Sequence, residues 1–296
     1  MKRKVFIQKT AFISAGFTAG LPHLSFSKTK NYKMGLQLYS VRDAMKLDPL
    51  DTLKKLKTMG YQDFETYGFK ADTETIYGFK IIEFKGILDD LGLSTSSGHY
   101  SFPEYFNAST ENLLLYVDKC IQTAKTLNSH YITWPFVKPE NRNPKGFKHL
   151  ADKLNTIGEH TAKSGIGFAY HNHGYEFDDW NGTTGNDILM QLTDSKFVKL
   201  QMDMYWLVHS GKTPKDLVSQ QPGRYVMWHI KDMDKVTLDY SELGNGSIDY
   251  TKILPDPETS GLKYLYIEQG GNFAKSSMQS AADSALYYKQ NLEGLL

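Results

Sequence analysis

Residues 165–203 read GIGFAYHNHGYEFDDWNGTTGNDILMQLTDSKFVKLQMD. A short apolar run, Gly165 to His171, ends in His171-Asn172-His173. A polar stretch follows, then an amphipathic segment around Asp187 to Leu192. A second apolar run, Val198 to Asp203, ends in a carboxylate. Runs of this length suit strands buried on both faces of a parallel sheet, and the amphipathic segments suit the helices that cover such a sheet.

The same unit repeats in both directions. Strands are expected at Met34–Ser40, Tyr61–Tyr67, Ser94–His99, His130–Phe136, Gly165–His171, Val198–Asp203, Tyr225–Ile230 and Tyr264–Glu268. Helices are expected at Pro49–Met59, Phe79–Leu91, Thr110–Leu127, Gly146–Lys163, Asp187–Leu192, Pro214–Gln220, near Tyr250–Leu254, and at Met278–Asn291. Gly60, Gly92, Gly165 and Gly261 stand where helices give way to strands, as C-terminal caps do. Eight strand-then-helix units in one chain define a single-domain α/β fold, the (β/α)8 TIM barrel, over residues 32–296. The competing doubly wound sheet requires a glycine-rich phosphate loop after its first strand. Here that strand runs into Tyr39-Ser40-Val41-Arg42-Asp43.

The composition excludes several classes. With 34 Lys and Arg against 33 Asp and Glu, the chain has no electrostatic footprint for nucleic acid. Its one cysteine, Cys120, cannot form an internal disulfide or a thiolate zinc site. Residues 1–31 read as an export signal or a disordered extension: Lys2-Arg3-Lys4, an apolar stretch from Ala11 to Leu21, then polar residues to Lys30. That order implies a periplasmic protein, with the cytoplasm as the alternative. The apolar stretch is too short for stable membrane insertion.

In a barrel of this kind the site forms at the C-terminal ends of the strands. The polar residues expected there are Gln37, Glu65, His99, Trp134, His171, His173, Glu176, Asp203, His229, Lys231, Asp232, Glu268 and Gln269. Carboxylates and imidazoles arriving together, without thiolate, suit one divalent metal ion such as Mn²⁺, Mg²⁺, Co²⁺ or Zn²⁺.

From about Met34 to the C-terminus the chain resembles the xylose-isomerase-like barrels of sugar (phosphate) isomerases and epimerases. Segments that carry the resemblance include Gly35-Leu36-Gln37-Leu38-Tyr39-Ser40, Ser97-Gly98-His99, Tyr170-His171-Asn172-His173, His229-Ile230-Lys231-Asp232 and Gly244-Asn245-Gly246-Ser247-Ile248-Asp249. The resemblance implies metal ligation by Asp203, His229 and Glu268. It departs at strand five, where the family's usual Glu is replaced by His171. Either Glu176 reaches back to the metal or His171 ligates it. The reading takes Glu176 as ligand and leaves His171 for acid–base work beside His173, Glu65 and Lys231. Gln37, His99 and Trp134 are expected to bind substrate.

The implied chemistry is proton abstraction next to a carbonyl of a small carbohydrate, as in an isomerase or epimerase. A keto-sugar lyase, dehydratase or hydratase is the alternative suggested by His171. A DNA-directed apurinic endonuclease is disfavoured by the charge, and a non-enzymatic sugar-binding barrel by the full set of late-strand ligands.

Overall fold

The structure, a computed structural model, describes residues 32–296. The expected export signal at 1–31 lies outside the described residues. No helix among the described residues is long and apolar enough to cross a membrane.

Eight parallel strands close into a barrel: β1 (Gly35–Gln37), β2 (Asp63–Thr66), β3 (Ser94–His99), β4 (Tyr131–Trp134), β5 (Gly167–His171), β6 (Val198–Asp203), β7 (Tyr225–Ile230) and β8 (Tyr264–Ile267). Each pairs with its sequence neighbours, and β8 returns to β1. The covering helices are α1 (Pro49–Met59), α2 (Ile81–Asp90), α3 (Thr110–Leu127), α4 (Pro144–Ala162), α5 (Gly185–Leu192), α6 (Pro214–Gln220), α7 (Tyr250–Ile253) and α8 (Ser277–Tyr287). Local signals set their ends. Asp48 caps α1 by accepting from Asp51 N, Pro49 opens it, and Gly60 closes it at φ 100°.

Sequence patterning missed short helices at Arg42–Leu47, Met204–His209 and Pro257–Ser260, and hairpins at Thr75–Lys80 and Asp232–Ser241. These pieces are too short to show a period.

Strand geometry sends alternate side chains to opposite faces, so the protein has two apolar compartments. Between strands and helices lies a continuous core that includes Phe64, Trp134, Tyr170, Met202 and Trp228. Inside the barrel a small cluster of Ala169, Val226, Met227 and Tyr266 fills the lower interior. Gly35 is needed where β1 passes β8, because a Cβ there would run into the Tyr266 ring, 2.7 Å away. Above this plug the inward positions are polar. Register places Gln37 beside Glu65, His171 beside Gln201 and Asp203 beside His229.

Candidate metal centre and active site

Four inward residues from consecutive strands converge at the barrel mouth: His171 from β5, Asp203 from β6, His229 from β7 and Glu268 just past β8. One ligand atom from each lies within 4.8 Å of all the others, and all four residues are buried.

The hydrogen bonds behind them orient the ligand atoms. His171 Nδ1 donates to the Pro135 carbonyl at 2.9 Å, which leaves Nε2 as an acceptor 3.2 Å from Asp203 Oδ2. His229 Nε2 donates to Glu65 Oε2 at 2.6 Å. Its Nδ1, which has no hydrogen-bond partner, then faces Glu268 Oε2 at 2.5 Å, an oxygen that also lies 2.9 Å from Lys231 Nζ. Two acceptors so close require a shared cation. A proton can serve: burial opposes charge on His229, but Glu268 and Glu65 raise its imidazole to about 9. A divalent metal fits the same convergence of two imidazole nitrogens and two carboxylate oxygens, with carboxylate and carbonyl partners behind the rings.

Lys231 completes the charge balance, its ammonium 2.6 Å from Asp203 Oδ2 and 2.9 Å from Glu268 Oε2. Burial would push both carboxyls up, but Lys231 and the neighbouring imidazoles hold them below their ordinary values.

Glu65 stands behind this group rather than in the cavity. It is wholly buried, accepts from Ser97 and Gln201 through Oε1, and from Gln37 and His229 through Oε2. Burial alone would raise its carboxyl, but the His99 and His229 imidazoles hold it well below the usual range. So saturated a carboxylate orients imidazoles and has no lone pair to spare as a base. Gln37, also buried, positions Glu65 and does not reach the cavity. These placements correct the expectations of a basic Glu65 and a substrate-binding Gln37.

His99 Nε2 lies 2.7 Å from Gln201 Oε1 and 3.1 Å from Glu65 Oε2, both acceptors, so that nitrogen carries the hydrogen. Its Nδ1 is left as an acceptor on a ring that lines the cavity. This arrangement, an imidazole steered by a buried carboxylate, is that of a general base. His173 lines the same cavity, stacked on Tyr175, and burial drives its imidazole well below the ordinary value.

Two further expectations are corrected. Glu176 is not brought to the metal group. Tyr170 points outward from β5, and Glu176 folds down beside it, accepting from the Tyr170 hydroxyl and from His173 N at 2.9 Å. His171 stands at the end of β5 within the four-residue group instead. Trp134 also points outward. It is fully buried, stacks on Phe102 at 5.5 Å and donates to the Phe136 carbonyl at 2.8 Å.

The cavity above the cluster has a volume of about 380 Å³. Besides His99, His171, His173 and Glu268 it is lined by Tyr39, Tyr67, Pro135 and Phe136. Sequence reading missed these aromatic residues because they follow the strands in loops, where no period marks a side chain's direction. Their nearness to strand ends was the only available signal. A larger groove of about 620 Å³, lined in part by Lys80, Ile82, Asp118 and Thr126, lies on the outer helices away from this chemistry.

His171→Ala is therefore expected to lose stoichiometric metal in elemental analysis, whereas Glu176→Gln keeps it. Burial raises the Glu176 carboxyl from 4.5 to about 7 in the folded chain. The folded state thus holds this proton more tightly than the unfolded state, and stability falls as pH rises from about 4.5 to 7. Glu176→Gln should flatten that part of the stability–pH curve in thermal melts. Metal loss in Glu176→Gln with metal retained in His171→Ala would reverse the ligand assignment.

A closed parallel barrel with a carboxylate–imidazole cluster at its C-terminal mouth is a TIM barrel with a candidate metal site at the end where sites of this fold form. The chain belongs to the xylose isomerase-like TIM barrel family, whose pattern matches residues 53–263. A sugar phosphate isomerase/epimerase from Parabacteroides distasonis has the same fold, with a TM-score of 0.76 and 26% identity over 90% of this chain and 96% of that one. The inosose dehydratase of Clostridium botulinum is 28% identical over 168 residues, which is 50% of this chain. The chain spans about half the length of the curated relatives it matches, 55% in that case. A xylose isomerase-like barrel from Mycobacterium smegmatis, solved in complex with magnesium, superposes with a TM-score of 0.63 at 18% identity over 89% of this chain and 97% of that one. The protein is thus a xylose isomerase-like TIM barrel with a candidate divalent-metal site.

Proposed function

We propose that the protein is a divalent-metal-dependent carbon–oxygen lyase that removes water from a small polyhydroxylated ketone. The observation that carries this reading is the imidazole of His171 at the end of β5. It leaves Glu268 as the one carboxylate of the metal group that lines the cavity, among three imidazoles. A proton shuttle that inverts a carbon needs a matched acid and base on opposite faces of the substrate. An elimination needs only a base that can return its proton to a departing hydroxyl on the same face. The match to inosose dehydratases supports the same choice.

In this reading His171, Asp203, His229 and Glu268 would hold a divalent cation, with Lys231 balancing its carboxylates. Bound there, it would supply Lewis-acid stabilisation of the negative charge that develops on the carbonyl oxygen. His99 Nδ1 removes the proton from the carbon next to the carbonyl, and Glu65 stabilises the imidazolium that results. His99 then gives this proton to the hydroxyl leaving from the neighbouring carbon. The carbon–hydrogen and carbon–oxygen bonds break, a carbon–carbon double bond forms, and water departs. His173, which lines the cavity, would donate a hydrogen bond to the reacting oxygens.

Incubation of the metal-loaded protein with keto-sugars and keto-cyclitols in deuterated water, followed by NMR, tests this. Loss of water to give an unsaturated ketone is expected, and His99→Ala should lower kcat by about 10²- to 10⁴-fold with metal retained. Epimerised or isomerised product without loss of water would overturn the lyase reading. Isomerisation or epimerisation is the second reading, favoured by the Parabacteroides neighbour that matches nearly the whole chain.

A further inference from the structure

We infer that Lys231 is a built-in counter-ion that sets how tightly the barrel mouth holds a metal. Its ammonium takes the same carboxylate oxygens that a divalent cation would take. It therefore lets the mouth fold before metal arrives and weakens the metal's hold afterwards. The inference rests on the four-residue group as the metal site and not on the reaction proposed above.

The first support is where the ammonium sits. Asp203 Oδ2 lies 3.2 Å from His171 Nε2 and 3.9 Å from His229 Nδ1, and Glu268 Oε2 lies 2.5 Å from His229 Nδ1. A cation joining the imidazole nitrogens to the carboxylates would use these two oxygens. Lys231 Nζ is on both of them, at 2.6 Å and 2.9 Å. The other oxygen of Asp203 is engaged elsewhere, accepting from Trp206 N in the turn after β6.

The second support is how Lys231 is held. The Tyr250 hydroxyl accepts from Lys231 N at 2.9 Å and donates to the Lys231 carbonyl. The next residue, Asp232, gathers the backbone amides of the loop after β7. Its Oδ2 accepts from Gly244 N at 2.9 Å and Gly246 N at 3.2 Å, and its Oδ1 accepts from Met233 N at 2.8 Å and Ile248 N at 3.1 Å. Gly246 is required there, because a Cβ would overlap the Asp232 carboxylate. Lysine is rarely buried unless paired, and Lys231 is buried and paired twice. The fold places this ammonium, unlike a surface bridge between two flexible side chains.

The third support is the charge at the mouth. Three buried carboxylates meet there: Glu65, Asp203 and Glu268. Glu65 is answered by the His99 and His229 imidazoles. Without Lys231, Asp203 and Glu268 would lose their shared ammonium, and a buried charge without a partner is costly. The ammonium removes that cost before metal binds. Once a metal arrives, the same ammonium is a like charge beside it and competes for the same lone pairs. Both effects act in one direction: the carboxylates gain less from the metal, and the metal has a cation for a neighbour.

The test measures metal binding alone. The full chain, stripped with chelator, is titrated with Mn²⁺ by calorimetry, and His171→Ala marks the part of the signal that belongs to this site. Lys231→Met keeps a stem of similar length and removes the charge. It is expected to bind Mn²⁺ about 100-fold more tightly than the parent. Lys231→Arg restores a cation and should stay within about tenfold of the parent. Without metal, Lys231→Met should melt below the parent, and saturating Mn²⁺ should close the gap, which the loss of a packing contact would not do. If that variant does not fold without metal, the Mn²⁺ dependence of its urea midpoint gives the same affinity. Affinity in Lys231→Met equal to or below that of the parent, or equally tight binding by Lys231→Arg, would overturn the inference and leave the metal site in place. Absence of His171-dependent binding in the parent would sink the metal site and the inference together. The lyase reading is judged separately, by water loss in the NMR assay.

Discussion

Replacing Asp203 by Asn is expected to abolish stoichiometric metal binding and to reduce turnover to background while the barrel stays folded. Asp203 Oδ2 lies 3.2 Å from His171 Nε2 and 2.6 Å from Lys231 Nζ, and it belongs to the four-residue group that could hold a cation. Its other oxygen caps the turn that follows β6 by accepting from Trp206 N at 3.2 Å. Asn keeps that cap and the shape of the side chain but removes a negative charge. Losing a hydrogen bond that merely supports a ligand lowers metal affinity by about 10- to 100-fold, so losing a ligand carboxylate should exceed that range. Lys231 also loses one of two counter-ions inside a buried site, which costs about 3–5 kcal/mol in comparable cases. Elemental analysis of the purified variant, with circular dichroism as the folding control, checks this. A variant with full metal content would remove Asp203 from the site. Binding also has a pH signature in the parent protein. A metal bound here would displace a proton from His229, whose imidazole stands at about 9, so affinity should rise as pH rises toward that value. Affinity that is flat between pH 6 and 8 would contradict the shared-cation geometry.

Trp134→Ala is expected to damage stability rather than substrate recognition. The ring is fully buried in the layer between barrel and helices, stacked on Phe102 at an interplanar angle of 14° and touched edge-on by Phe106. Truncating so large a buried ring costs about 3–5 kcal/mol, because the lost burial is compounded by the cavity left behind. For a chain of this size each kcal/mol shifts Tm by about 2–4 °C, so a fall of roughly 10 °C is expected. Assayed well below that midpoint, the variant should keep KM within about threefold of the parent, with a small rise because Trp134 Nε1 steadies the Phe136 carbonyl at 2.8 Å. A tenfold rise in KM with an unchanged Tm would return Trp134 to the cavity wall. Differential scanning calorimetry and steady-state kinetics on one preparation decide between these outcomes.

The contrast between Trp134 and His171 shows how far strand periodicity carries. Side chains in β4 alternate, and Thr133 faces inward, where its hydroxyl meets Ser97 at 3.0 Å. Trp134, one residue on, must face the helices. That parity was present in the sequence, but aromatic character at a strand end masked it. The same parity places His171 inward and Tyr170 outward in β5, and it predicts that Glu176, hydrogen-bonded to Tyr170, leaves with the outward face. The boundaries of β3, β6 and β7, and of α1, α3 and α6, coincide with their sequence readings because caps, prolines and apolar runs are local signals.

By itself, then, the sequence determined the eight-fold alternation, the barrel, and the set of carboxylates and imidazoles carried to its mouth by Glu65, His99, His171, Asp203, His229 and Glu268. Each of these follows from period, parity and position at a strand end, which are properties of a few neighbouring residues. Only the tertiary structure decided what those groups do to one another. It showed that Glu65 is spent on holding His99 and His229, that Lys231 lies between two ligand carboxylates, and that Asp232 fills the amides of the loop after β7. The physical reason is range: a hydrogen bond between Glu65 and His229 joins residues 164 positions apart, and barrel closure alone sets that distance.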